Sequence, residues 1–217
     1  MARQGARSEG RSSVVRIGSR YRRPTDEVVN AVSDHQRFID NEIFQLTLAA
    51  VTQRGGVYRP NLPESARREL HVALRESLTA LGGHYTSAVA DDAHIANIDA
   101  LAQRLSSRCH NLLVGSRFRI GNAQKALNLH LKYRWCLGLG AEPPHCPFDA
   151  IVLRQIPGWR ARRWTRLDSL DQYRNLVAAA RACANPASLA VWELNLYNAS
   201  AQPRPPAASP EGPALNV

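Results

Sequence analysis

Residues 121–139 read GNAQKALNLHLKYRWCLGL, and this stretch decides the fold. Wound as a helix, it is apolar on nearly all sides, with one narrow polar stripe formed by Asn122, Lys125, Asn128 and Lys132. A helix this apolar is typical of the centre of a protein core, so residues 121–139 are predicted to be buried. The polar stripe is then expected to line a cleft. The alternative is a simple solvated face.

Helical periodicity continues on both sides of this stretch. Upstream, the sequence predicts helices from Thr25 or Asp26 to Gly55, from Pro63 to Gly82, and from Thr86 to Leu113 with a break near Asp91 and Asp92. Downstream, it predicts helices over Asp149–Gln155, Ser169–Ala184 and Ser188–Asn198, the last two with serine at a cap position. Because no alternating strand pattern is found, the fold class is predicted to be all-α.

The two ends of the chain differ in composition from the middle. Residues 1–24 are rich in arginine, glycine and serine, and residues 199–217 are rich in proline and alanine. They are predicted to be a disordered basic arm and a disordered tail around one compact helical bundle, residues 25–198. The sequence shows no signal peptide and no apolar run of membrane-spanning length, so we expect the protein in the cytoplasm. We also expect it to be a monomer and to associate with the nucleoid.

Positive charge is concentrated in the middle of the chain. Residues 100–167 contain twelve arginines and lysines but only two acids, so their net charge of +10 equals that of the whole chain. Segregated positive charge neutralises phosphates and releases counterions, which favours DNA as the partner. A solvated basic face or an acidic protein partner is the alternative. The predicted DNA-contacting residues are Arg117, Arg119, Gly121, Asn122, Asn128, Arg154, Arg160, Arg162 and Arg163.

Lysine is used very differently from arginine. The chain has 26 arginines and two lysines, Lys125 and Lys132, both on the polar stripe of residues 121–139. Arginine does not lose its proton in proteins, whereas a lysine in an apolar pocket can become an amine nucleophile. The placement of both lysines therefore suggests amine chemistry in the cleft, although two residues are few enough for chance.

Asp149 follows a proline-rich approach, residues 143–148, and precedes the apolar run Ala150–Leu153. It is predicted to lie at the start of a helix, where a carboxylate stays ionised. A plain capping role is the alternative, and the two roles are compatible. The four cysteines show no metal-ligand spacing, and neither do His110, His130 and His145, so no metal and no cofactor is expected.

Four aromatic residues are candidates for stacking on a base. Trp159 and Trp164 alternate with arginines, a pattern that suits phosphate contacts combined with stacking. Their alternative role is to anchor a surface loop. Tyr133 and Trp135 lie on the apolar helix, where core packing explains them better than base stacking does.

A turn around Gly115–Gly121, a lysine on the next helix and a Pro-x-Asp at Pro147–Asp149 resemble the helix-hairpin-helix DNA glycosylases. The resemblance covers residues 114–156, and the long lysine-to-aspartate spacing is most similar to the archaeal 8-oxoguanine DNA glycosylase branch. It implies a helix-hairpin-helix element, Lys125 as the nucleophile on the sugar and Asp149 as the carboxylate that supports it. Lys132 remains the alternative nucleophile, because Lys125 lies four residues after Gly121, where the family has two.

The sequence leaves three hypotheses. The first is a DNA glycosylase that flips a damaged or modified base out of duplex DNA and excises it, with or without AP-lyase activity through a lysine Schiff base. The second is a non-enzymatic helical DNA- or RNA-binding protein associated with repair, phage or defence. The third is an interaction protein whose basic surface binds an acidic partner.

Overall fold

A computed structural model describes residues 26–201 and divides them into two units, residues 26–38 and residues 39–201. The predicted arm, residues 1–24, and residues 202–217 of the predicted tail lie outside the described residues. Seven α-helices occur within residues 26–201. They are α1 (Asp26–Gly55), α2 (Glu64–Gly82), α3 (Asp91–Cys109), α4 (Ile120–Cys136), α5 (Ala150–Leu153), α6 (Leu170–Ala184) and α7 (Leu189–Ala201).

The helices form a compact bundle, which confirms the all-α prediction. The described residues contain no strand, and their one β-type contact is an isolated antiparallel bridge between Tyr58 and Leu113. Several boundaries differ from the predictions: α3 ends at Cys109 instead of Leu113, α4 at Cys136 instead of Leu139, and α5 at Leu153 instead of Gln155. The third helix begins at Asp91 instead of Thr86, with both acids in its first turn, where the helix dipole favours negative charge. The last helix extends to Ala201.

The predicted serine caps are present. Ser169 accepts a hydrogen bond from the backbone N–H of Gln172 at 3.1 Å, and Ser188 accepts one from Val191 at 3.2 Å. Each hydroxyl satisfies one of the backbone N–H groups that the first turn of a helix leaves unpaired. Local sequence signals therefore set the starts of α6 and α7.

Helix α4 is the buried centre of the bundle, as its apolar composition predicts. All thirteen residues from Ile120 to Lys132 are buried, and the helix packs against α2, α3 and α6. Its last turn is less covered, since Tyr133 and Trp135 are only half-buried and Cys136 is exposed. The two lysines of the chain are thus carried by the most enclosed helix of the described residues.

The connection between α3 and α4 is a ten-residue turn segment, residues 110–119. Gly115 and Ser116 have positive φ, and Gly115, at +66°, adopts the left-handed conformation that glycine tolerates best. Helices α3 and α4 then pack against each other. The predicted helix–turn–helix arrangement around Gly115–Gly121 is present, with the turn lying mostly before Ile120.

Gly121 fixes the start of α4 against the turn at residues 164–167. Its backbone N–H donates to the carbonyl oxygen of Leu167 at 2.7 Å. A Cβ atom at this position would lie 1.9 Å from the carbonyl oxygen of Trp164, so the two backbones can approach this closely only because residue 121 has no side chain.

Candidate active site

Lys125 and Asp149, the predicted nucleophile and its carboxylate, are in direct contact. The Lys125 Nζ atom donates to Asp149 Oδ2 at 2.9 Å. Lys125 comes from the second turn of α4 and is 7% exposed, whereas Asp149 is the residue immediately before α5. The fold thus brings together two residues that lie 24 positions apart in the sequence.

Asp149 also caps α5 with its other carboxylate oxygen. Oδ1 accepts hydrogen bonds from the backbone N–H groups of Ile151 at 2.9 Å and Val152 at 3.1 Å. The capping role and the lysine-pairing role are therefore both present, on different oxygens of one carboxylate. Held by three donors, the side chain has little freedom to rotate.

The charge state of Asp149 follows from these contacts. Burial raises the pKa of the carboxyl, but the nearby ammonium of Lys125, its hydrogen bond and the two backbone donors together outweigh burial and hold that pKa below its ordinary value. The carboxylate is accordingly ionised at neutral pH.

The lysine–aspartate pair lies in a pocket of about 250 Å³, called here the lysine pocket. Sequence reasoning missed its wall from α1, which contributes two small side chains and one amide. The sequence shows only the pair Ala49–Ala50 one helical turn before Gln53, and this pattern does not indicate which part of the protein the three side chains face. The lining residues are Ala49, Ala50, Gln53, Lys125, Asp149, Ala150, Ile151 and Trp164.

Lys132, the alternative nucleophile, is directed elsewhere. Its Nζ donates to Glu193 Oε2 of α7 at 2.6 Å and lies 4.7 Å from the centroid of the Tyr197 ring. Burial raises the pKa of Glu193, although the neighbouring Lys132 opposes the shift. Lys132 does not line the lysine pocket and forms an ion pair that joins α4 to α7, and its role as the alternative nucleophile stays a prediction.

Three predicted DNA contacts are also corrected. Asn128 is fully buried, and its amide nitrogen donates to the Cys146 carbonyl at 2.9 Å while its oxygen pairs with His94 Nε2 at 2.8 Å. The backbone N–H of Gly121 is taken by Leu167. Asn122 is 3% exposed, with its side-chain oxygen buried and without a hydrogen-bond partner. These residues shape the core and offer almost no surface to DNA.

The predicted arginines fall into two groups. Arg154, Arg160, Arg162 and Arg163 are exposed. Around the turn, Arg117 pairs with Asp168 at 3.3 Å, and the half-buried Arg119 donates to the Thr165 carbonyl at 3.2 Å. The first group is available to phosphates as it stands, whereas the second has structural partners within the protein.

The four aromatic candidates separate in the same way. Trp164 lines the lysine pocket, and with Trp159 it also lines a second pocket of about 330 Å³ between the α5–α6 connection and α6. Tyr133 and Trp135 line neither pocket, because they lie on the last turn of α4. Their predicted base-stacking role is therefore corrected: the half-buried Tyr133 lies near Tyr197 and Glu193 of α7.

Comparisons with protein-family models, with curated proteins and with solved structures give no match for this chain. Within residues 26–201, no group of three or more His, Cys, Asp or Glu side chains could hold a metal ion. None of the described helices is both long enough and apolar enough to span a membrane.

Proposed function

We propose that this protein is a DNA glycosylase with AP-lyase activity, in which Lys125 is the nucleophile and Asp149 its supporting carboxylate. The observation that carries the proposal is the 2.9 Å contact between Lys125 Nζ and Asp149 Oδ2 in a pocket of about 250 Å³. An amine beside an ionised carboxylate, both at the wall of one cavity, is the arrangement that nucleophilic attack on a sugar carbon requires.

The chemistry can be written with its protons. The bond between the base and C1′ breaks, and its electron pair leaves with the base. One proton passes from Lys125 Nζ to the departing base, which leaves a neutral amine on Lys125 and keeps Asp149 ionised. The amine then bonds to C1′, and opening of the sugar ring moves a second proton to O4′ and leaves a protonated Schiff base on Lys125.

Asp149 would act mainly through its charge. The positive charge that develops on the sugar forms next to the carboxylate, which is fixed by the two backbone donors of α5 and by Lys125. A preorganised charge of this kind needs no reorientation during the reaction, and such charges are among the largest contributors to catalysis. The hydrogen bonds that cap α5 would therefore also serve catalysis, since they hold the carboxylate in place.

The remaining walls of the lysine pocket suit a flipped base. The small side chains of Ala49 and Ala50 leave space, and the indole of Trp164 offers a surface for stacking. The amide of Gln53 carries both a donor and an acceptor, as recognition of a base edge requires. The exposed Arg160, Arg162 and Arg163 would neutralise phosphates of the bound DNA.

Borohydride trapping tests the proposal. Borohydride reduces a Schiff base to a stable amine, so wild-type protein should become covalently joined to DNA that carries an abasic site. Lys125→Arg should abolish trapping and base excision, because it keeps the charge and removes the titratable amine. Lys132→Arg is the matched control and should trap normally, since an arginine can still pair with Glu193.

The opposite pattern, with Lys132→Arg inactive and Lys125→Arg active, would transfer the nucleophile to Lys132. Full activity in both variants and in the double variant would refute the lysine mechanism. Wild-type protein that binds DNA tightly but neither traps nor excises any base in a screen of modified duplexes would favour the non-enzymatic nucleic-acid-binding alternative, in which the Lys125–Asp149 pair serves stability alone.

A further inference from the structure

The second pocket, called here the arginine pocket, adjoins the lysine pocket through one shared residue. Trp164 lines both cavities, and the arginine pocket, at about 330 Å³, is the larger. Leu153 and Leu176 give it apolar walls, and Trp159 adds an aromatic one. Its lining is therefore suited to a flat apolar group. Such a group would lie beside the ligand of the lysine pocket, with Trp164 lining both cavities.

The rim of the arginine pocket is positively charged. Arg162, Arg163 and Arg166 line it, and all three are exposed. Within residues 26–201, no ion pair joins any of them to a carboxylate. The guanidinium of Arg162 lies 4.7 Å from the centroid of the Trp159 ring. Uncompensated guanidinium groups beside an aromatic wall match a ligand that combines a phosphate with a base.

The position of Trp164 is fixed by the helix that carries Lys125. Gly121, at the start of α4, bonds to the Leu167 carbonyl and leaves no space between α4 and the Trp164 backbone. Arg119 adds a hydrogen bond to the carbonyl of Thr165. The backbone that carries the Trp164 indole is therefore packed against the start of α4, and Trp164 lines both cavities from this position.

We propose that the two pockets bind two successive nucleotides of one DNA strand, with the indole of Trp164 between their bases. The target base occupies the lysine pocket, and its neighbour occupies the arginine pocket with its phosphate on the arginines. A single side chain between the cavities matches neighbouring nucleotides of one strand, because a side chain that inserts between two successive bases unstacks them and takes the place of one stacking contact.

This inference rests on the proposed function of the lysine pocket, and it makes the substrate more specific. A nucleotide can enter the arginine pocket only when its base has no pairing partner. The preferred substrate is therefore DNA with at least two successive unpaired nucleotides, such as a single strand or an opened duplex, and not a duplex with one nucleotide flipped out.

Two synthetic duplexes test the inference. Both carry a tetrahydrofuran abasic analogue followed by a thymine, and the complementary strand has a gap opposite the analogue alone or opposite both residues. The analogue has no aldehyde and cannot form a Schiff base, so the assay measures binding alone. Wild-type protein should bind the two-nucleotide gap about tenfold more tightly, the factor that stacking of one base typically gives.

Two variants assign that preference to the arginine pocket. Ala161→Trp fills the cavity from an exposed lining position and keeps every charge, whereas the Arg162→Gln/Arg163→Gln double variant keeps the cavity and removes charge. Each should reduce the tenfold ratio towards one. Arg174→Gln, an exposed position on α6 outside the pocket lining, is the matched control and should keep the ratio. If Ala161→Trp does not fold, the double variant decides.

A wild-type ratio near one, or a ratio that neither variant changes, overturns the inference. Its failure is distinguishable from failure of the proposed function, because trapping on a true abasic site is measured separately. Normal trapping without a gap preference refutes the arginine pocket alone. A gap preference without trapping refutes the glycosylase chemistry and leaves a binder of unpaired DNA.

Discussion

Replacing Asp149 by asparagine separates the two roles of this residue. The amide oxygen of asparagine can still accept the backbone N–H groups of Ile151 and Val152, because asparagine caps helices about as well as aspartate. The NH₂ group then faces the ammonium of Lys125, and the negative charge is lost. The variant keeps the cap and removes the partner of a nearly buried lysine.

The expected loss of stability follows from the exposure of the pair. The side chain of Lys125 is 9% exposed and that of Asp149 is 29% exposed. Breaking a buried pair costs about 3–5 kcal/mol, and an exposed pair contributes about 0–1 kcal/mol. This pair lies between those limits, so we expect the free energy of unfolding to fall by about 2 kcal/mol. For a chain of this size, that is a decrease in Tm of about 4–8 °C.

The expected loss of activity is larger. Removing a preorganised charge from a transition state costs several kcal/mol, so the single-turnover rate of base excision should fall at least about a hundredfold. Glu193→Gln is the control, because it breaks the buried Lys132 pair outside the lysine pocket. We expect that control to lower Tm by at least as much and to leave the excision rate of the folded protein unchanged.

Calorimetry and single-turnover excision rates, measured on both variants, separate a catalytic role of Asp149 from a structural one. An Asp149→Asn variant that is destabilised but excises at the wild-type rate would make Asp149 purely structural. Equal loss of activity in Asp149→Asn and Glu193→Gln, in proportion to their loss of stability, would refute the catalytic argument as well.

Further predictions concern DNA binding, the wall of the lysine pocket and the dependence of stability on pH. Affinity for DNA should fall by orders of magnitude between about 50 and 200 mM salt, because we propose that several arginines contact phosphates. A flat response in a binding titration would contradict nucleic-acid binding. Ala50→Leu should fill part of the lysine pocket and slow excision while salt-dependent binding persists, whereas an unchanged rate would remove that wall from the site. Burial lowers the pKa of His94 and of His130 from 6.5 to about 4. As the pH falls, these histidines are protonated in the unfolded chain before they are protonated in the folded protein. The free energy of unfolding should therefore be constant above about pH 6.5 and fall by about 1.4 kcal/mol per pH unit for each histidine towards pH 4. Urea titrations at several pH values would measure this decrease. Stability independent of pH over that range would mean that these two histidines are not buried.

The sequence predicted the elements whose causes are local. The apolar surface of α4 requires burial wherever the rest of the chain lies, and Ser169 and Ser188 mark helix starts by their own hydrogen bonds. The pairing of Lys125 with Asp149 was also predictable, but only through the resemblance to a family. Composition and periodicity alone do not select one acid as the partner of a given lysine.

The sequence misjudged residues whose partners are distant in the chain. Lys125 and Lys132 share one face of α4, yet seven residues at 1.5 Å per residue separate them by about 10 Å along the axis. One therefore meets α5 and the other meets α7. Asn128 lies on the same stripe, but it hydrogen-bonds to the Cys146 carbonyl and to His94 on α3, which no local pattern specifies.

Because the Lys125–Asp149 pair lies inside the bundle, removing both of its charges tests its role in stability and its role in chemistry. A buried ion pair is weak evidence of stabilisation, because apolar residues of similar volume often do as well. The double variant Lys125→Met/Asp149→Asn removes both charges and keeps the cap of α5, so we expect it to be about as stable as wild type and more stable than Asp149→Asn alone. If the pair served the fold, its removal would lower Tm well below that of wild type. A stable double variant with no trapping would show instead that these charges are held in the core for reactivity.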